Sequence, residues 1–380
     1  MHRMFRKTKR VSSPVLEHSM VPTPNTGMKN STEIATMHRR QFLKTLPIAI
    51  AGASSPDSFA VPPDTGVNTV LGARSPRALG MTLMHEHVLV DFVGADNVNP
   101  QRYNVEEVFQ AALPHLKALR ATGCRTLVEC TPAFLGRDPN LLKRLAVASG
   151  LHIVTNTGFY GAANDKYVPA IARQETAEQL ADRWTREFHE GINGTGIRPG
   201  IIKIGVDPGP LSEIDAKLVR AAAKTHLQTG LTIASHTGNG VAALEELEIL
   251  RLEGVHPGAF IWVHAQIEGD GQFHLKAAQQ GAWVEFDGIS ETSAEKHLQL
   301  VKGPIEQGFS DRLLISQDAG WYHVGEPKGG TFRPYTFIFA NFVPLLRRSG
   351  ITPEQIRSLL IDNPRKALTL QVRKLNRKSS

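Results

Sequence analysis

Two histidines, His85 and His87, lie one residue apart in the apolar stretch GMTLMHEHVLVD at positions 80–91. Side chains alternate between faces along a β-strand, so both imidazoles would point to one face and Glu86 to the other. Such a pair is either a polar contact with water or the first half of a metal site, because neutral imidazole is a common metal ligand. The spacing alone leaves both interpretations open.

Polar side chains also end most of the other short apolar runs. The set comprises Lys203 in IIKIG, His236 in IASHTG, His264 in WVHAQ, Asp287 in EFDG and Asp318 in ISQDAG. A lone histidine at a strand end is usually a satisfied polar residue, and a lone aspartate often caps a turn. Four imidazoles and a carboxylate at one edge, however, match the ligands of zinc or another first-row divalent ion. The sequence therefore predicts a metal site.

Lys203 needs its own explanation, because an ammonium group between Ile202 and Ile204 inside a sheet is costly unless it is neutralised or paired. One interpretation is a Schiff-base lysine with a depressed pKa, as in an aldolase-type lyase. The other is a lysine carbamylated by CO₂, whose carboxylate bridges two cations. The four histidines and the aspartate favour the carbamate, since two cations would repel a free ammonium.

Short apolar runs rich in β-branched residues alternate with longer amphipathic segments, which is typical of parallel strands joined by helices. The eight runs lie near residues 82–89, 126–131, 152–157, 201–205, 231–236, 259–264, 282–287 and 312–318. Helix signals lie between them, such as Asp138 before Pro139, and Thr352 before a last helix at 353–368. The pattern predicts an α/β fold, a single-domain (β/α)₈ TIM barrel with its active site at the carboxyl ends of the strands. An open doubly wound sheet is the rival, but no GxGxxG follows any strand.

The net charge of +7 is confined to the chain ends. Residues 1–60 carry nine Lys or Arg and three Asp or Glu, and residues 371–380 carry four Lys or Arg and no acid, which leaves −3 for the body between them. A nucleic-acid partner would require a basic body, so none is predicted. Cys124 and Cys130 would lie about 20 Å apart on an extended strand, too far for a disulfide, and are predicted to be small buried side chains.

The first 60 residues contain a candidate export signal. RRQFLK at positions 39–44 precedes an apolar run from Leu46 to Ala53 and the small-residue sequence SFA at 58–60. This order is typical of twin-arginine export, although a disordered basic leader is the alternative, and Met37 is a candidate start. We expect an extension and signal peptide over 1–60, a barrel over 61–370, a basic tail over 371–380 and a periplasmic or secreted location. No apolar run approaches the roughly 18 residues that cross a bilayer, so no membrane span is predicted.

Two stretches, GMTLMHEHV and GCRTLVECTPAFLGRD, resemble the signature sequences of the phosphotriesterase family, within the amidohydrolase superfamily. The resemblance continues through Lys203, His236, His264 and Asp318 to DNPRKAL near the end, over roughly residues 68–370. It implies a metal-dependent hydrolase of esters. Family members of this type use zinc, sometimes cobalt, manganese or iron, and act on phosphotriesters, lactones or related esters.

The resemblance also implies a role for each candidate residue. One metal ion would be held by His85, His87 and Asp318, the other by His236 and His264, with carbamylated Lys203 and a hydroxide bridging them. Asp318 would take up the proton as the hydroxide attacks, and Asp287 would relay that proton outward through His264. A turn residue in the dipeptide Asp-Gly is the simpler interpretation of Asp287.

The substrate pocket is expected to be aromatic. Trp321 and Tyr322 lie in the last loop, whose aromatic density is unlike the rest of the chain, and Tyr160 matches a tyrosine that lactonase-like members place near the metals. The chain departs from the family at Gly288, where an Arg or His usually follows the aspartate of the seventh strand, so the substrate stays open.

Three functions therefore remain after the sequence alone. The first is a binuclear metallohydrolase acting on a small lactone, carboxylic ester or organophosphate triester. The second is a Schiff-base lyase that uses Lys203, and the third is a non-catalytic barrel that retains the metal. Related barrels often form dimers, which leaves a homodimer open, although no segment identifies an interface.

Overall fold

The computed structural model describes residues 66–375, which form an α/β structure of parallel strands and intervening helices. The predicted export signal and the last five residues of the basic tail lie outside the described residues. Within residues 66–375, no helix is both long and apolar enough to cross a bilayer.

The elements are numbered in chain order. The strands are β1 Val67–Thr69, β2 Gly72–Arg74, β3 Thr82–Val90, β4 Thr126–Glu129, β5 His152–Val154, β6 Asn156–Thr157, β7 Ile201–Val206, β8 Thr232–Thr237, β9 Phe260–Val263, β10 Trp283–Phe286, β11 Leu313–Ile315 and β12 Gly320–His323. The helices are α1 Val105–Ala121, α2 Pro139–Ser149, α3 Ala170–Gln174, α4 Ala177–Glu190, α5 Glu213–Thr229, α6 Gly240–Leu252, α7 Gly271–Gln280, α8 Ala294–Glu306, α9 Val343–Arg348, α10 Pro353–Arg357 and α11 Asn363–Leu368.

Two parallel sheets carry the fold. One has the order β11-β10-β9-β8-β7-β6 and the other the order β12-β3-β4-β5, while β1 and β2 form a separate antiparallel hairpin. Only Thr155 separates β5 in one sheet from β6 in the other. The chain after β11 also contacts β3, since Asp318 N donates to His85 O at 3.0 Å and His87 N donates to Ala319 O at 2.9 Å. The sheets therefore meet at two places.

Most of the strands are buried on both faces, which explains their nearly continuous apolar sequences. On β7, for example, Ile202 and Ile204 belong to the large core shared with the helices, whereas Ile201 belongs to a second apolar cluster with Ala234 of β8 and Trp283 of β10. Because side chains alternate between faces along a strand, the two clusters lie on opposite faces of the sheets.

The helix signals in the sequence are largely confirmed. Asp138 Oδ1 accepts a hydrogen bond from Leu141 N at the start of α2, and Thr352 forms a reciprocal capping box with Gln355 at the start of α10. The predicted last helix, 353–368, is instead α10, a π-helical turn at Ser358–Asp362, and α11. The predicted strand 152–157 is likewise divided into β5 and β6, and β1, β2 and β12 were not predicted.

A buried amide fixes α11 to the start of β11, and its removal is expected to destabilise the fold. Asn363, which is 1% exposed, donates from Nδ2 to Ser310 O and Leu313 O, both at 2.8 Å. Asn363→Leu leaves both carbonyls without their donor and should lower the free energy of unfolding by about 2–3 kcal/mol. Urea unfolding followed by tryptophan fluorescence measures this loss. The exposed Asn140 of α2 is the control, since Asn140→Leu should change stability by less than about 0.5 kcal/mol.

Candidate metal centre

A cavity of about 420 Å³ lies at the carboxyl ends of the strands and collects all six candidate ligands. These residues are His85, His87, Lys203, His236, His264 and Asp318. They come from positions as far apart in the chain as β3 and the segment after β11, so only the parallel sheets bring them together. Tyr160 and Trp321, both predicted as substrate residues, line the same cavity.

Strand alternation explains how an apolar sequence delivers polar groups to this cavity. On β7, Lys203 lies two residues after Ile201 and so shares its face, that of the second apolar cluster. The same spacing links Ala234 to His236 on β8, and twice that spacing links Trp283 to Asp287 beyond the end of β10. Each strand therefore begins with an apolar side chain on this face and ends with a polar one.

Two candidate ligands depend on unusual backbone conformations instead. His264 has φ = 62° and Asp318 has φ = 50°, in the left-handed region that non-glycine residues rarely adopt. His264 follows the outward-facing Trp262 in the alternation of β9, so an extended backbone would direct its side chain towards the helices. Backbone strain of this kind is often found at functional sites.

The imidazoles are in mutual contact and are held by buried acceptors. His85 Nε2 lies 3.1 Å from His87 Nε2, and the ring centroids of His236 and His264 lie 4.4 Å apart. His87 Nδ1 lies 2.8 Å from Thr131 Oγ1, which donates to Glu129 at 2.5 Å. Because Nδ1 of His87 is held by Thr131, the other ring nitrogen, Nε2, is directed towards the cavity.

The electrostatics favour the metal-binding forms of His85, His236 and Asp318. Burial lowers the pKa of His85 and of His236 well below the ordinary value, and the charges of neighbouring residues lower it further. Burial also lowers the pKa of Lys203. Burial by itself would raise the pKa of Asp318, but the hydrogen bond and charge of His87 lower it. Neutral imidazoles and an ionised carboxylate are the states in which these groups ligate a cation.

The donor set fits divalent cations. His85, His87 and Asp318 offer ligand atoms within 4.8 Å of one another, and so do His85, His264 and Asp287. Among the candidate ligands, the buried His85 Nδ1 has no hydrogen-bond partner within the described part of the chain. Buried polar atoms are normally satisfied, so an atom left open in this way is consistent with a ligand of an ion.

Asp287 lies beside the cavity wall rather than in it. Its side chain is 0% exposed, and its carboxylate accepts from His264 N at 3.0 Å and lies 2.5 Å from His264 Nδ1. Gln266 Nε2 donates to the same carboxylate at 2.7 Å. These contacts place Asp287 where it can orient His264, and its role as a proton relay stays a prediction.

The expectation that Tyr322 lines the substrate pocket is wrong. Tyr322 belongs to β12, where alternation directs Trp321 and His323 to one face and Tyr322 to the other. Its hydroxyl donates to Glu107 Oε2 of α1 at 3.4 Å, and the ring belongs to the core shared with the helices. The aromatic loop therefore supplies Trp321 to the cavity, but not Tyr322.

Sequence reasoning missed several residues that line the cavity. Phe92 and Tyr167 contact each other at 6.2 Å between ring centroids, and Phe92 contacts Trp321 at 5.6 Å. Gln266 and Cys130 also line the cavity. Phe92 and Tyr167 lie in loops without periodicity, so only their tertiary contacts mark them. Both cysteines are free and buried, as predicted.

Tyr160 orients His236, and removing its hydroxyl is expected to weaken metal binding. Tyr160 Oη lies 2.9 Å from His236 Nδ1, and its ring packs against Gly205, where a Cβ would approach within 2.8 Å. Tyr160→Phe keeps the ring but frees Nδ1, so we expect metal affinity to fall about 10-fold. Competition with a chromogenic chelator measures the affinity. Tyr103→Phe, which removes a hydroxyl bonded to Asp138 elsewhere, should leave it unchanged, and equal affinities for the two variants would refute the role of Tyr160.

Comparison with known sequences identifies relatives along most of the chain. The model of the phosphotriesterase family matches residues 65–368. An aryldialkylphosphatase from Saccharolobus solfataricus is 30% identical over 300 residues, which cover 76% of this chain and 94% of that protein. The N-acetyltaurine hydrolase of Homo sapiens is 29% identical over 348 residues, covering 80% of this chain and 98% of the relative.

A solved structure shares the architecture. It is a mutant of a PTE-like lactonase from Deinococcus radiodurans, with a TM-score of 0.71 and 30% sequence identity. The match covers 80% of this chain and 99% of that one. The similarity therefore extends over nearly the whole of that protein.

Proposed function

The chain belongs to the phosphotriesterase family, and from that premise we propose that it is a binuclear metal-dependent hydrolase of small neutral esters. The observation that carries the proposal is the convergence of six ligand-type side chains on one cavity. His85, His87 and Asp318 would hold one cation, and His236 and His264 the other, with carbamylated Lys203 between them. Zinc is the expected metal, and cobalt, manganese or iron would suit the same ligands.

Two bound cations would supply Lewis acidity and a water molecule acidic enough to attack near neutral pH. The protein's own contribution is to place groups around that chemistry. Asp318 Oδ1 is buried and lies 3.2 Å from His87 Nε2, and we propose that it takes up the proton released as water adds. Asp287 would hold His264 in one orientation.

The cavity wall favours a neutral, apolar substrate. Phe92, Tyr167, Trp321 and Leu135 supply apolar surface, and Lys203 is the only lysine or arginine among the lining residues. A carbamate would remove that positive charge, leaving no cationic side chain on the described wall to bind an anionic group of the substrate remote from the metal ions. We therefore propose a lactone, a carboxylic ester or an aryl phosphotriester as substrate, held by Tyr160 and Trp321, in preference to an anionic amide such as N-acetyltaurine.

We also infer that the two sheets close into one eight-stranded barrel. The adjacency of β5 and β6 across Thr155 supports closure at one seam. The hydrogen bonds between β3 and the segment after β11 support it at the other. A closed barrel would explain why ligands from both sheets face a single cavity.

Hydrolysis assays on the purified protein, with and without metal chelation, test the proposed function. We expect turnover of a γ-lactone or an aryl phosphotriester that is lost on chelation and regained with zinc, and little turnover of N-acetyltaurine. Activity that resists chelation, with covalent trapping of substrate by borohydride, would instead support a Schiff base at Lys203. Metal binding without turnover of any of these compounds would support a non-catalytic barrel.

We propose twin-arginine export of the folded protein, on the strength of the sequence at positions 39–60. Export after folding would allow the metal site to be assembled before the protein crosses the membrane. A fusion of residues 37–61 to a reporter is expected to reach the periplasm, and the variant with Arg39→Lys and Arg40→Lys should stay in the cytoplasm. A reporter that crosses regardless of this double change would refute the signal.

A further inference from the structure

Gln266 has no part in the function proposed above, yet it makes two hydrogen bonds to Asp287, the residue that contacts His264. It lies in the short turn after β9, two residues beyond His264. Its Nε2 donates to Asp287 Oδ1 at 2.7 Å, and its Oε1 accepts from Asp287 N at 3.1 Å. One amide side chain thus binds both the carboxylate and the backbone of the same residue.

This double contact restricts Asp287 strongly. Asp287 Oδ2 accepts from His264 N, while Oδ1 faces both His264 Nδ1 and Gln266 Nε2. Rotation of the carboxylate about its last bond would break at least one of these hydrogen bonds. Since the carboxylate is fixed, His264 Nδ1 is fixed with it, and the other ring nitrogen, Nε2, is left for the cavity.

Because Gly288 has no side chain, the space beside the Gln266 amide is open, whereas a side chain at position 288 would extend into it. A Cβ built at position 288 would lie 3.6 Å from Gln266 Nε2, and no other atom of residues 66–375, apart from the adjoining residues, would lie within 4 Å of it. Gly288 has φ = 69°, a conformation that suits glycine and directs the chain away directly after Asp287. With no side chain at position 288, Gln266 is the group that covers Asp287 towards the cavity, which it also lines.

We propose that Gln266 is a positioning residue that fixes Asp287 and, through it, holds His264 ready to bind a cation. The proposal rests on the proposed function. Gly288 has no side chain that could hold Asp287 in place, so this role falls to Gln266. It predicts that the loss of Gln266 weakens metal retention and turnover without removing any ligand.

The test compares two nearly isosteric variants in the full-length enzyme. Gln266→Met removes both hydrogen bonds, and Gln266→Glu keeps the acceptor for Asp287 N but sets one carboxylate against another. We expect Gln266→Met to lose zinc to a chelator about 10–100-fold more readily, and kcat to fall about 10-fold while KM stays within about twofold. Gln266→Glu should lose zinc more readily still.

Asn363→Leu is the matched control, because it also removes two hydrogen bonds of a buried amide but lies at the start of α11, outside the residues that line the cavity. It should lower the melting temperature and leave zinc retention unchanged. Zinc retention and kcat of Gln266→Met equal to those of the wild type would overturn the proposal, and so would losses no larger than those of Asn363→Leu. A wild type that binds no zinc would instead refute the proposed function itself, so the two failures can be told apart.

Discussion

Lys203→Ala is expected to abolish binding of both metal ions and to lower kcat/KM by at least about 10³-fold, equivalent to about 4 kcal/mol of transition-state stabilisation. Lys203 is 1% exposed and lines the same cavity as the four histidines. As a carbamate it would supply a carboxylate to both cations. Alanine supplies no ligand, and the ions would then face four neutral imidazoles and a single carboxylate.

The burial of Lys203 makes the modification chemically reasonable. Burial lowers the pKa of Lys203, which increases the fraction of neutral amine that can add CO₂. Its Nζ donates to the adjacent carbonyl of Ile204 at 3.2 Å, and its described surroundings include no ion-pair partner within 4 Å. Conversion to a carbamate would turn a buried amine that has no ion-pair partner in its described surroundings into a ligand.

Two further variants separate this role from simple loss of packing. Lys203→Glu retains a carboxylate at the site, so it should keep part of the metal that Lys203→Ala loses. Lys217→Ala, which removes a lysine bonded to Ala172 O and Glu175 O outside the cavity, should retain both ions. Full metal content and activity in Lys203→Ala would show that Lys203 is not a ligand.

Asp318→Asn is expected to lower kcat about 10³-fold and to release one of the two ions. Asp318 Oδ1 lies 3.2 Å from His87 Nε2 and 3.8 Å from His85 Nε2. It would therefore be the third ligand of the ion held by these two histidines of β3. Asparagine has the same shape and tolerates the left-handed backbone at φ = 50°, but it carries no charge and cannot take up a proton. The fold should therefore persist while the chemistry is lost.

Steady-state kinetics with metal analysis measure this effect. Asp311→Asn is the control, since Asp311 is exposed and lies before β11, away from the cavity. The control should keep two ions and wild-type kcat. If Asp318→Asn also kept both ions and its kcat, Asp318 would be neither a ligand nor a proton acceptor.

The strands and the polar residues at their ends could be predicted from the sequence because both depend on local pattern. Lys203 and His236 follow apolar runs with the alternation of a strand, and the structure places both on the cavity. The segment after β11 was harder, because the predicted strand continued to Asp318, whereas β11 ends at Ile315. The left-handed residues at its end are imposed by contacts with β3, which lies more than 200 residues earlier.

The cavity wall could be predicted only in part, because it depends on loops. Trp321 was identified by local aromatic density, but the same argument wrongly included Tyr322, whose direction is set by the pairing of β12 with β3. Phe92 and Tyr167 lie in loops whose sequences show no periodicity, so nothing near them in the chain indicates that they line the cavity. Gln266 becomes visible only when β9 and β10 lie side by side, since its partner is 21 residues away.

The measurement that tests the central claim most directly is the number of divalent ions per chain in purified wild-type protein, determined by elemental analysis after incubation with zinc and bicarbonate and removal of free metal. We predict a value close to two. A correctly folded protein that binds no metal under these conditions would contradict the account, since the histidines and Asp318 would then form a polar cluster rather than a metal centre.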